Sequence, residues 1–93
     1  MTIEEIKGKV IPILERHGVR KAAIFGSVIR GESRTGSDVD ILVEIKSNIS
    51  LLDFIGIKIE LEEVLKMRVD LVEYDTIKPL IKERILAEQV VIL

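Results

Sequence analysis

The chain of 93 residues reads as an α/β protein: a small mixed β-sheet with helices packed on one side, formed by one domain over residues 1–93. Three observations predict this. Candidate elements follow one another as helix, strand, strand, helix, strand, helix. The strand candidates, 19–25, 38–45 and 69–74, are short apolar runs set off by polar or glycine-bearing turns. The stretches 3–14 and 51–64 instead repeat their apolar residues at helical spacing. A hydrophobic content of 47% against 32% charged residues is a globular balance, not a disordered one.

The opening helix begins with Thr2 and Glu5, the pattern of a capping box. Ile3, Ile6, Val10, Ile13 and Leu14 form its apolar face. Pro12 lies inside it, where its ring meets the carbonyl of Gly8, and predicts a bend. His17-Gly18 reads as the helix end, with glycine for the left-handed cap. Strand 19–25 carries the small pair Ala22-Ala23 and stops at Gly26. Residues 27–32 read as a short helix or turn and 34–37 as a polar loop. In strand 38–45, Val39, Ile41, Val43 and Ile45 share one face, and Asp38, Asp40, Leu42 and Glu44 the other.

Ser50 is placed to cap a helix reaching about Lys66. Leu51, Phe54, Ile57, Leu61 and Val64 form one apolar stripe on it, and Leu52, Ile55 and Ile59 a second. Two stripes exceed what one sheet face needs, which predicts a homo- or hetero-oligomer surface. In the third strand, Asp70 and Val72 share a face opposite Val69, Leu71 and Glu73. A last helix is expected from Asp75-Thr76 with Pro79 in its first turn, followed by a terminal edge strand over 90–93.

Composition excludes several classes of function. A net charge of −2 argues against a broad footprint on duplex nucleic acid, though not against a single nucleotide. Without cysteine there is no disulfide or thiolate metal site, and one histidine cannot build a histidine cluster. No segment approaches the roughly 20 apolar residues of a membrane span. The start lacks the basic and apolar regions of a signal peptide, so the expected location is cytoplasmic.

The chemistry concentrates in FGSVIRGESRTGSDVDILV, residues 25–43. Asp38 and Asp40, two apart on a strand, leave the same face with Cα atoms about 7 Å apart. Carboxylates that close repel unless a cation lies between them. Oxygen-only ligands favour a hard ion, and Mg2+ completed by the phosphate oxygens of a triphosphate suits the set. Asp70 interrupts an apolar strand and is expected to be paired or to bind metal if that strand is central. Three carboxylates can then hold two metal ions. Gly26-Ser27 suits the phosphates: glycine permits close approach, the amides after it point at an anion, and the hydroxyl of Ser27 adds a donor. Arg30 is placed to neutralise charge. Taken singly, each feature also has a structural reading: a turn, a solvated cap, or an edge-strand aspartate.

Together, Gly26-Ser27, Arg30-Gly31, Ser37-Asp38-Val39-Asp40 and the downstream Asp70 resemble the motif of the nucleotidyltransferase superfamily. That superfamily includes DNA polymerase beta and the aminoglycoside nucleotidyltransferases; the resemblance is nearer to its smallest members, the minimal nucleotidyltransferases (MNT). It implies the nucleotidyltransferase fold and transfer of a nucleoside monophosphate, usually from ATP, to an acceptor hydroxyl with release of pyrophosphate. It further implies that Asp38 and Asp40 ligate Mg2+, and that Asp70 completes the metal site and helps deprotonate the acceptor. Gly26 and Ser27 would hold the triphosphate, while Arg30 and Gly31 receive no settled role. Minimal members are commonly paired with HEPN-family toxins, so the resemblance implies a HEPN partner and an antitoxin that adenylylates a tyrosine of the toxin. Two alternatives stand beside it: a non-catalytic antitoxin acting by contact, and a small-molecule, aminoglycoside-type enzyme.

Overall fold

The computed structural model describes residues 2–26, 39–45 and 48–93. Helix α1 spans Ile3–Arg16 and strand β1 Val19–Phe25; β2 is Val39–Ile45, α2 Leu51–Leu65 and β3 Val69–Glu73. A 3-10 turn, Tyr74–Thr76, precedes α3, Pro79–Glu88, and the short β4, Val90–Val91. The sheet order is β3-β2-β1-β4. β1 runs antiparallel to β2 and β4, and β2 parallel to β3. The expected mixed sheet and terminal edge strand are thus present.

α1 carries the expected capping box, with the Glu5 amide donating to the Thr2 hydroxyl at 3.1 Å. Such a cap contributes about 1 kcal/mol. Ile6, Val10 and Leu14 are almost wholly buried, and at about 1.5–3 kcal/mol for each buried side chain their packing outweighs the cap. The helix continues through Pro12, which faces solvent together with Gly8. There, the carbonyl deprived of its partner can be hydrated. His17 caps the helix, and Gly18 takes the left-handed φ of +77° that turns the chain into β1. The His17 ring also meets Glu60 of α2 at 3.0 Å, and Arg16 pairs with the same carboxylate. His17 therefore ties two helices together.

α2 starts on the Ser50 cap, which accepts from the Asp53 amide at 3.1 Å. Its buried line is Ile57, Leu61 and Leu65, with Phe54 partly covered; Leu51 and Val64, expected inside, are exposed. The helix meets the sheet along its i, i+4 ridge, and that ridge selects Leu65 over Val64. Leu52, Ile55 and Ile59 stand on the outside, 80%, 40% and 48% exposed, so the second stripe is indeed left uncovered. The last helix begins at Pro79, not at Asp75-Thr76. Those two residues form the 3-10 turn, where the Thr76 hydroxyl donates to the Glu73 carbonyl at 2.9 Å. No described helix is long and apolar enough to cross a membrane.

The alternation of the strands divides the core in two. On one face Ala22, Ile24, Val39, Ile41, Val43, Val69 and Leu71 pack against α1 and α2, so the two long helices share one side as expected. On the other, Ala23, Leu42, Tyr74 and Ile77 form a smaller cluster on which α3 rests Ile85 and Leu86, so the expected one-sided packing does not hold for the last helix: the strands turn apolar residues to this face as well.

Candidate active site

The site lies on this second face, where β1, β2 and β3 meet. In the parallel ladder Asp40 stands in register with Asp70, as Leu42 does with Val72. Neighbouring strands are about 4.8 Å apart, and in-register residues project from the same face. The ladder therefore places Asp40 and Asp70 side by side. Asp40 is half-buried and Asp70 exposed. Among the described residues β3 is the outer strand, so the edge-strand reading of Asp70 applies and no buried charge has to be compensated. Its place beside Asp40 comes from strand register.

Gly26 follows directly on Phe25, which pairs with Asp40 across β1 and β2. It is buried and holds a φ of +81°. A Cβ added there would run into the Asp40 side chain, with Cγ at 2.9 Å and the carboxylate oxygen closer still. Glycine is thus required twice, once by backbone conformation and once by the carboxylate seated against it. The sequence marks Gly26 as a strand end and a phosphate-side glycine; its contact with Asp40 depends on a cross-strand register that has no local signal.

Asp38, Ser27, Arg30 and Gly31 lie outside the described residues, as does the 27–32 turn. Among the described residues no three acidic or imidazole groups converge to hold a metal ion. The Asp40–Asp70 pair supplies only oxygen donors from one open face, with the glycine seat beneath. That donor set suits a hard divalent cation.

The match to known proteins accords with this geometry. The family model described as polymerase beta nucleotidyltransferase matches residues 8–93. The chain belongs to this family. It is 55% identical, over the full length of both chains, to a Methanocaldococcus jannaschii protein provisionally named a protein adenylyltransferase. It is 43% identical to the protein adenylyltransferase MntA of Thermococcus cleftensis, over 97% of this chain and 95% of that one. A solved structure provisionally described as a minimal nucleotidyltransferase superposes with a TM-score of 0.83 at 36% identity, covering 97% and 95% of the two chains. The complex of a tri-AMPylated Shewanella oneidensis HEPN toxin with MNT antitoxin contains a chain that matches at TM-score 0.76 and 17% identity. The match covers 97% of this chain and 71% of that one, and shows shared fold. This nucleotidyltransferase therefore has the enzyme class and fold that its aspartate motif implied.

Proposed function

We propose that this nucleotidyltransferase transfers AMP from ATP, with Mg2+, to a hydroxyl of a partner protein in the cytoplasm. The proposed acceptor is a tyrosine of a HEPN-family toxin, for which this chain is the antitoxin. The observation that carries the reading is the in-register pair Asp40–Asp70 on the open sheet face, with Gly26 packed against Asp40. The protein adenylyltransferase name of the T. cleftensis relative supports the reaction, and the AMPylated toxin of the S. oneidensis complex supports the partner.

Asp38, Asp40 and Asp70 would hold the metal, which when bound neutralises charge on the phosphates and the attacking oxygen. Asp40, seated on Gly26, has a fixed position from which to orient the triphosphate. Gly26 and Ser27 would offer backbone amides and a hydroxyl to its oxygens. Asp70, exposed at the rim, takes the proton of the acceptor hydroxyl. The new bond joins that oxygen to the α-phosphorus, the bond from the α-phosphorus to the bridging oxygen breaks, and pyrophosphate leaves. Positioning and charge neutralisation are what such a transfer requires.

The test is incubation of the purified chain with α-labelled ATP, Mg2+ and a HEPN-family toxin. Label is expected on a toxin tyrosine, with none after Asp40→Asn. Protection of cells by Asp40→Asn without any labelling would replace transfer by neutralisation through contact. Labelling of an aminoglycoside in the absence of protein would point to a small-molecule acceptor.

A further inference from the structure

Among the described residues β3 is the outermost strand on its side of the sheet. The Val39 amide donates to the Arg68 carbonyl at 2.9 Å. In this register the amides of Asp70 and Val72 turn toward β2, and those of Val69, Leu71 and Glu73 turn away. The outward amide of Val69 is closed by the Glu62 carboxylate at 2.9 Å. No described group closes those of Leu71 and Glu73. Alongside them lies a groove of about 430 Å³, lined by Leu71, Val72 and Glu73 and by Ile49, Leu51 and Phe54 from the start of α2.

An open backbone edge is complementary to the donors and acceptors of another extended chain, and an apolar notch beside it to one side chain. We infer that the protein acceptor docks here, laying an extended segment along β3 as an added strand with an apolar anchor in the groove. This rests on the reading that the acceptor is a protein. Charge narrows the segment further. Glu73 lines the groove and Asp70 lies on the same strand, so the fitting segment carries lysine or arginine beside its anchor.

The alternation of an added strand makes the geometry specific. A side chain opposite Asp70 projects on the face of Asp40 and Asp70, where the transfer takes place. A side chain opposite Leu71 or Glu73 projects toward α2 and its groove. Acceptor and anchor are therefore an odd number of residues apart, one or three.

Ten-residue peptides test this, each with one tyrosine, flanking lysines, and one leucine placed one, two, three or four positions from the tyrosine. Hydrogen exchange at single amides is followed by NMR, and AMP labelling of the peptide in parallel. Peptides of odd spacing are expected to slow exchange at Leu71 and Glu73 roughly tenfold at ten times their dissociation constant. They should be labelled several-fold faster than those of even spacing. Leu51→Arg, a change at an exposed side chain that fills the groove mouth, should abolish the protection while ATP affinity is unchanged. Absence of protection, or protection indifferent to spacing and to Leu51→Arg, overturns the inference. The intact HEPN toxin separates the two levels: equal labelling by wild type and Leu51→Arg sinks the docking mode alone. No labelling by wild type sinks AMP transfer, and the exchange pattern then decides the docking mode by itself.

Discussion

The two faces of the sheet are built from the same strands and have opposite characters. On the face under α1 and α2, β2 contributes Val39, Ile41 and Val43, all wholly buried. On the other face it contributes Asp40, Leu42 and Glu44, of which Leu42 is buried, Asp40 half-buried and Glu44 exposed. α3, which has no buried residue of its own, closes the middle of that second face and leaves the end bearing Asp40 and Asp70 accessible. A period of two along one strand thus assigns stability to one side and chemistry to the other. Substitutions on the two faces should therefore separate into changes of activity and changes of stability.

The largest effect is expected at Asp70. Asp70→Asn should lower AMP transfer roughly 10³-fold, since the lost charge neutralisation is worth about 4 kcal/mol at the transition state. Because Asp70 is exposed, the melting temperature should hardly move, and a thermal melt beside the kinetic assay checks both. Leu61→Ala on the closed face is the converse. It removes a wholly buried side chain and should cost about 3 kcal/mol in a denaturant titration. The fraction that remains folded should keep its affinity for ATP.

Gly26→Ala crosses the division, because the added methyl meets Asp40 and the backbone holds a positive φ. It should lose about 1–3 kcal/mol of stability through the strained backbone, together with most of the transfer activity. Loss of stability with full activity would show that Asp40 does not need the seat.

The smallest effect belongs to the covered part of the second face, at Tyr74. Its hydroxyl donates to Gln89 at 2.8 Å, so Tyr74→Phe should cost about 1 kcal/mol. Burial, and then the nearby Glu44 carboxylate, push the Tyr74 hydroxyl above the ordinary value of 10.0. A group raised on folding contributes stability that is complete below its unfolded value and disappears as pH rises through the folded one. Wild type should therefore lose stability above about pH 10 by a step that Tyr74→Phe lacks, visible in melts at increasing pH.

Much of this division was legible in the residues. Apolar runs placed β1 correctly, and Thr2 and Ser50 marked two helix starts because capping is local chemistry. Gly26-Ser27, Arg30-Gly31, Ser37-Asp38-Val39-Asp40 and Asp70 together indicated the family. Register and neighbour identity were not legible: nothing local says that β3 lies parallel to β2 at the edge of the sheet. The exposure of Asp70 follows from that arrangement, and the contact of Gly26 with Asp40 from the antiparallel register of β1 and β2. The choice of Leu65 over Val64 depended likewise on the angle at which α2 crosses the sheet. The groove beside β3 had a single trace in the sequence, a leucine at the exposed start of α2.

The central claim is that Asp40 and Asp70 act on one cation. A double-mutant cycle on Mn2+·ATP binding, measured by calorimetry with Asp40→Asn, Asp70→Asn and the pair, tests it directly. If the carboxylates share a site, each single change weakens binding by roughly tenfold or more, and the pair by far less than the product of the two. Strictly multiplicative losses, or an Asp70→Asn protein that binds as wild type does, would contradict a shared site.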